Sequence, residues 1–147
     1  MANLKKHAVK ETAVIHLRDG NEDLIYSEDE KGEADLTRPA EVEVYSPGSK
    51  IYVAANAQQN NSLIDKMKAK GKTTQSAESQ LEEKAAFLAE VTKSMRNVEY
   101  DSPDGKKLEG KELFKAVYRD REIGFIADQV QAFLGNWENF TKASPTP

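Results

Sequence analysis

EVEVYSPGS, residues 41–49, changes its period partway through. Glu41-Val42-Glu43-Val44-Tyr45 alternates polar and apolar residues with period two, the pattern of a strand with one buried face. Ser46-Pro47-Gly48 interrupts that pattern, and Ser49 stands where it can cap a helix. Beyond it Ala54, Ala57, Asn61, Ile64 and Met67 recur at helical spacing as far as Gly71, which predicts a helix of about twenty residues. Alanine dominates the inner half of this predicted helix, so a neighbour can approach it closely, and Gln58-Gln59-Asn60-Asn61 faces water or a polar contact. The chain therefore reads as strands before this junction and helices after it, an α+β protein.

Working upstream, Ala13-Val14-Ile15-His16-Leu17 is a β-branched run. Asp19-Gly20-Asn21 has turn chemistry, and Leu24-Ile25-Tyr26 follows at hairpin distance. SEDEKGEADLTRP, residues 27–39, is acidic and carries Gly32 and Pro39, so a solvated loop is expected. The N-terminal part thus predicts a small antiparallel sheet of about three strands over residues 12–46.

Downstream, a second helix is expected from Thr73 or Thr74, with the stripe Ala77, Leu81, Ala85, Leu88, Val91 and Met95. Only a short connection separates it from the first helix, so the two should form an antiparallel hairpin. After Val98-Glu99-Tyr100 comes the polar turn DSPDGKKLEGKE, residues 101–112. Leu113, Phe114, Val117 and Tyr118 mark a third, shorter helix, and Asp120-Arg121-Glu122 opens a fourth. In the fourth, Ile123, Ile126, Val130, Phe133, Trp137 and Phe140 are spaced three, four, three, four and three, a single seam. Gly135 ends or kinks this helix, and Asn136 can cap a last short turn that carries Trp137 and Phe140. Two readings of the seam stand side by side: all of it closes the core, or its last aromatics stay at the surface for a partner. The expected organisation is a single domain over residues 1–147, with a β-rich lobe at 12–46 and a helical region at 49–141. That region holds the helix hairpin and two to three further helices, and residues 142–147 form a flexible tail.

Composition narrows the function. Of 147 residues 38% are hydrophobic and 31% charged, and the net charge of −4 gives no field that would draw the protein to nucleic acid or an anionic membrane. The chain has no cysteine, which excludes thiol nucleophiles, disulfides and cysteine-based zinc sites. MANLKKHAVKE lacks an apolar h-region behind its basic residues, and no apolar run is long enough to span a bilayer. A cytoplasmic protein is expected.

Catalytic and cofactor motifs do not assemble. Gly71-Lys72-Thr73 resembles the end of a phosphate-binding loop, but Lys66 stands where that motif requires glycine. Aligning Gly105 with the glycine of a calcium loop puts Tyr100 and Lys111 at the first and last ligand positions, so the segment reads as a turn. His7 and His16 have no third ligand nearby in sequence, and His16 sits in a predicted strand. Asp120 and Glu122 fit capping at a helix start, and Lys66, Lys68, Lys70 and Lys72 fit a solvated helix end. A non-enzymatic protein without cofactor or metal is expected.

VEVYSPGSKIYVAANAQQNN (42–61), NVEYDSPDGKKLEGKELFKAVYRDREIGFIADQV (97–130) and LGNWENFTKAS (134–144) together resemble tail assembly chaperones of tailed phages. The resemblance runs from Val42 to Ser144 and involves no active-site fingerprint. It implies a protein of the host cell cytoplasm that binds the tape measure protein and keeps it soluble until the tail tube polymerises around it. It also implies possible contact with the tail tube protein, and some members of the family have a longer product made by ribosomal frameshifting. The alternative is a structural component of the particle: a tail tube, neck or tail completion protein. A helix-in-groove interface suits the first role, and self-association suits a long client. The candidate partner-binding residues are Ala54, Ala57, Phe133, Leu134, Trp137 and Phe140, with Gln58 and Asn61 at the rim.

Overall fold

The computed structural model describes residues 1–70, 77–102 and 104–142. It is α+β, with five strands, β1 (Thr12–His16), β2 (Tyr26–Glu28), β3 (Ala34–Pro39), β4 (Glu41–Tyr45) and β5 (Thr92–Arg96). The helices are α1 (Lys50–Lys70), α2 (Ala77–Glu90), α3 (Gly110–Arg119) and α4 (Gly124–Leu134). Gly71-Lys72-Thr73, the expected cap at Thr73 or Thr74, and residues 143–147 of the expected tail lie outside the described residues.

The period change at residues 41–49 occurs as the sequence indicates. In β4 the side chains of Val42 and Val44 are wholly buried while Glu41, Glu43 and Tyr45 point the other way. Ser49 caps α1: its Oγ accepts from Tyr52 N at 3.1 Å and donates to Ser46 O at 2.7 Å. β4 is the centre of an antiparallel sheet ordered β1-β4-β5, with Val44 opposite Ala13 and Val42 opposite both Ile15 and Met95. Helices α2, α3 and α4 bring Leu88, Val117 and Val130 into the same core, and Phe140 joins them from the 3₁₀ turn Trp137–Phe140. The opposite face is polar, with Thr12 donating to Glu43 at 2.8 Å and Arg96 3.8 Å from Glu41.

Two expectations are corrected. The second helix does not reach Met95: α2 ends at Glu90, and residues 92–96 form β5, the third strand of the main sheet. Val91 and Met95 fit a helical stripe, but the open edge of β4 supplies a ladder that a helix would leave unpaired, and pairing overrides periodicity. The main sheet therefore takes a strand from the helical half. The acidic stretch 27–39 is exposed, yet it is no plain loop: β2 and β3 pair as a two-stranded hairpin. Asp29 Oδ1 accepts from Lys31 N and Glu33 N, and Gly32 has φ of +80°, so Asp29 and Gly32 together form the turn.

The expected hairpin around Asp19-Gly20-Asn21 is present but short. Asp19 N donates to Asp23 O at 2.8 Å, Arg18 bridges Leu24, and Ile25 then leaves the main sheet for the β2–β3 arm. The arm is anchored by a closed ring of main-chain bonds: Leu17 N to Ala40 O, Ala40 N to Ile25 O, and Ile25 N to Leu17 O, at 2.9–3.0 Å. His16 Nε2 donates to the same Ile25 carbonyl, so this histidine is a structural strap. Asn97, in the left-handed region at φ 57°, donates to Pro39 O and accepts from Ser27 Oγ, which ties the arm to the end of β5.

The outer edge of β1 is closed at both ends. Odd-numbered residues of β1 bond to β4, so Lys10 and Arg18 face away from it. Lys10 N donates to Phe140 O at 2.7 Å, and the Gln129 side-chain amide both accepts from Arg18 N and donates to Arg18 O at 2.8 Å.

At the α2–β5 junction, Thr92 Oγ1 donates to Leu88 O at 2.7 Å. With its only proton committed there, it must accept from the wholly buried Tyr118 hydroxyl, also at 2.7 Å. Thr92→Val strands both Tyr118 OH and Leu88 O and is expected to cost about 1–3 kcal/mol, whereas Tyr118→Phe should cost about 1 kcal/mol; urea denaturation of the two variants checks the order. Burial pushes the Tyr118 phenol well above its usual range, so the unfolded chain loses that proton near about pH 10 while the folded protein keeps it. The contribution of Tyr118 to stability should be constant below that pH and fall as pH rises past it. Tyr118→Phe should reduce this slope, leaving a smaller contribution from Tyr100, whose hydroxyl is raised by donating to Asp120 and by burial.

Candidate partner-binding surface

Tyr52, near the start of α1, meets Phe87, near the end of α2, edge to face with ring centroids 5.4 Å apart. Ala55 is buried beside it, and Gln59 and Glu83 line the same groove further along, so the two helices run antiparallel as expected. Tyr52, Ala55 and Gln59 are spaced three and four apart and define the inward face of α1. This groove, ≈ 250 Å³, also receives Gln58 and is floored by Ala86 and Ala89.

The stripe read from the sequence lies on another side of the helix. At about 100° per residue, Val53, Ala57 and Ile64 fall within roughly 40° of one another and point away from Ala55. Val53 is 60% exposed and Ile64 48%, and Ala54, Ala57, Gln58 and Asn61 are exposed as well. Expected to be an inner, alanine-rich face, this stripe is the outer one. Two residues missed as candidates, Val53 and Ile64, are the largest apolar side chains on this side among the described residues. Their spacing of eleven residues, three helical turns, was the available signal.

The terminal seam divides. Ile126, Val130, Leu134 and Phe140 are buried, Phe133 is half-buried, and Trp137 is 54% exposed. α4 stops at Gly135, and Asn136, in an extended conformation, starts a 3₁₀ turn over Trp137–Phe140, its side chain accepting from Glu138 N. An extended residue breaks the helical phase, so regular spacing across it does not place Trp137 with Phe133. The ring of Phe140 packs edge to face on Phe133 at 5.3 Å. Leu134 and Phe140 are thus core residues, and as exposed contacts for a partner they are corrected. Trp137 lies over Gly48, where a methyl group would meet its Cζ3 at 3.6 Å and Val9 Cγ2 at 3.1 Å. That position is at the N-terminal end of α1.

Asp120 and Asp104 have structural partners. Asp120 accepts from Glu122 N at 2.9 Å and from Tyr100 OH at 2.7 Å, as a cap should. Ser102 and Asp104 hold the turn that carries Gly105 at φ +77°. Among the described residues no group of three or more histidine, aspartate or glutamate side chains could hold a metal ion, and no helix is long and apolar enough to cross a membrane.

The division of the seam is directly measurable. Phe140→Ala is expected to lower stability by about 3–5 kcal/mol, and Trp137→Ala by under about 1 kcal/mol, in denaturant titrations. Trp137 fluorescence should be red-shifted and open to acrylamide quenching in the native protein. No protein-family profile, curated protein or solved structure matches this chain.

Proposed function

We propose that the protein is a non-catalytic assembly chaperone of a phage tail, one that covers amphipathic helices of the tape measure protein. One observation carries the reading: α1 packs on α2 through Tyr52 and Ala55 and, on its opposite side, leaves Val53, Ala57 and Ile64 in a row toward solvent. A helix stripe of this kind is normally buried, because apolar area in water costs about 25 cal/mol per Å². Ala57 within it and Ala54 beside it are small, so a second helix can approach at the usual separation of about 8–10 Å. The client contributes its own apolar stripe and both are removed from water, as in helix-in-groove recognition. Trp137 adds a large amphipathic ring at the N-terminal end of the same helix. The net charge of −4 helps the loaded complex stay dissolved. The resemblance over residues 42–144 supplies the client's identity, and the host cell cytoplasm is where such a complex would form.

Co-expression with the tape measure protein tests this reading. The client should be found in the soluble fraction with the wild-type protein and be lost to the pellet with a Val53→Asp/Ile64→Asp double variant. Both positions are exposed, so the variant's own stability should change by under about 1 kcal/mol. Client solubility that is indifferent to the protein would overturn the proposal. A stoichiometric band in purified particles would favour a structural component instead.

A further inference from the structure

A second concavity lies beneath the β2–β3 arm, and α1 contributes nothing to it. Its volume is ≈ 620 Å³, inside the range of about 300–1,000 Å³ that ligand clefts occupy. Leu17, Ala40, Val117 and Ile126, all core residues, reach its floor. Ile123 and Phe125 from the start of α4, with Val98 and Tyr100 from the segment after β5, form one wall; Tyr26 and Arg38 of the arm form the other. The cleft is preformed, because the Leu17–Ile25–Ala40 ring and the two Asn97 bonds fix the arm over it.

The arm that forms one wall, with the turn before it, is acidic. Residues 22–35 hold seven carboxylates, Glu22, Asp23, Glu28, Asp29, Glu30, Glu33 and Asp35, against Lys31 alone. Among the described residues none of the seven is in an ion pair, since the ion pairs lie on the sheet and the helices. Glu28 and Glu99 line the cleft itself, and Arg38 is the one cation among its lining residues. An apolar floor beside an acidic arm selects an occupant with an apolar anchor and positive flanks.

We infer that this cleft is a second polypeptide-binding site, which takes an aromatic or leucine side chain flanked by lysine or arginine. Nucleic acid and anionic lipid are repelled by the same carboxylates. The inference stands apart from the chaperone reading, because it uses none of the α1 surface and requires no particular client.

The probe is a fluorescein-labelled amphipathic Lys/Leu peptide with one phenylalanine, with a Glu/Leu peptide of the same pattern as control. Anisotropy with the full chain should show binding of the lysine peptide only, weakening about tenfold or more between about 50 and about 500 mM salt. Methyl NMR should place the shifts on Ile25, Val98, Val117, Ile123 and Ile126. A Glu28→Gln/Glu30→Gln/Glu33→Gln variant, changed only at exposed positions, should bind about tenfold more weakly while its thermal midpoint is kept. Methyl shifts confined to Val53 and Ile64 would overturn the cleft and leave the chaperone reading standing. Equal binding of the glutamate peptide, no binding of the lysine peptide, or the same methyl shifts on concentrating the protein without peptide would each also overturn it.

Discussion

A central strand needs partners along both edges, and β4 draws them from distant parts of the chain. β1 lies before it, and β5 arrives only after two helices. Until β5 pairs, one side of β4 has unmet main-chain groups, and Val42 and Val44 have no complete cover. The pairing also sets the helices. α2 runs directly into β5, so the Thr92 hydroxyl can hold the last turn of α2 and the Tyr118 phenol of α3 at once. Sheet and helices therefore form one cooperative unit, and a lobe built from residues 12–46 alone would lack an edge of its own sheet.

How much of this could be read in advance followed from whether the information was local. The strand at 41–45, the Ser49 cap, the short helix at 110–119 and the Asn136 cap are local, and the sequence specifies them through alternation, side-chain oxygens and amphipathy. β5 was hidden because Val91 and Met95 satisfy a helical repeat, while their partners on β4, Tyr45 for Val91 and Val42 for Met95, lie about fifty residues earlier, beyond any local pattern. The β2–β3 arm was hidden under its charge, although Asp29 and Gly32 are a turn signature. For the surface, Ala54, Ala57, Gln58, Asn61 and Trp137 are exposed where a partner could meet them, but Leu134 and Phe140 are not. Alanine is compatible with either side of α1, and which side faces in is decided by Tyr52 meeting Phe87, a tertiary contact.

The two concave or apolar surfaces differ in the physics available to them. The outer stripe of α1 is small-residued and long, suited to a continuous helix and to affinity spread over several turns. The cleft below the acidic arm is compact and floored by core side chains, suited to one anchor and sensitive to salt. A polypeptide touching both would gain from their linkage in one chain, since the second contact forms at high local concentration once the first is made.

The amide of Gln129 determines how the molecule behaves in a crowded mixture. An open strand edge is a template on which stray chains add and fibrils grow. At Arg18 this side chain gives and takes the two bonds that a neighbouring peptide group would otherwise make. It imitates an adjoining strand for one residue and offers no backbone of its own to continue from, so the ladder terminates there and aggregation has one fewer place to begin.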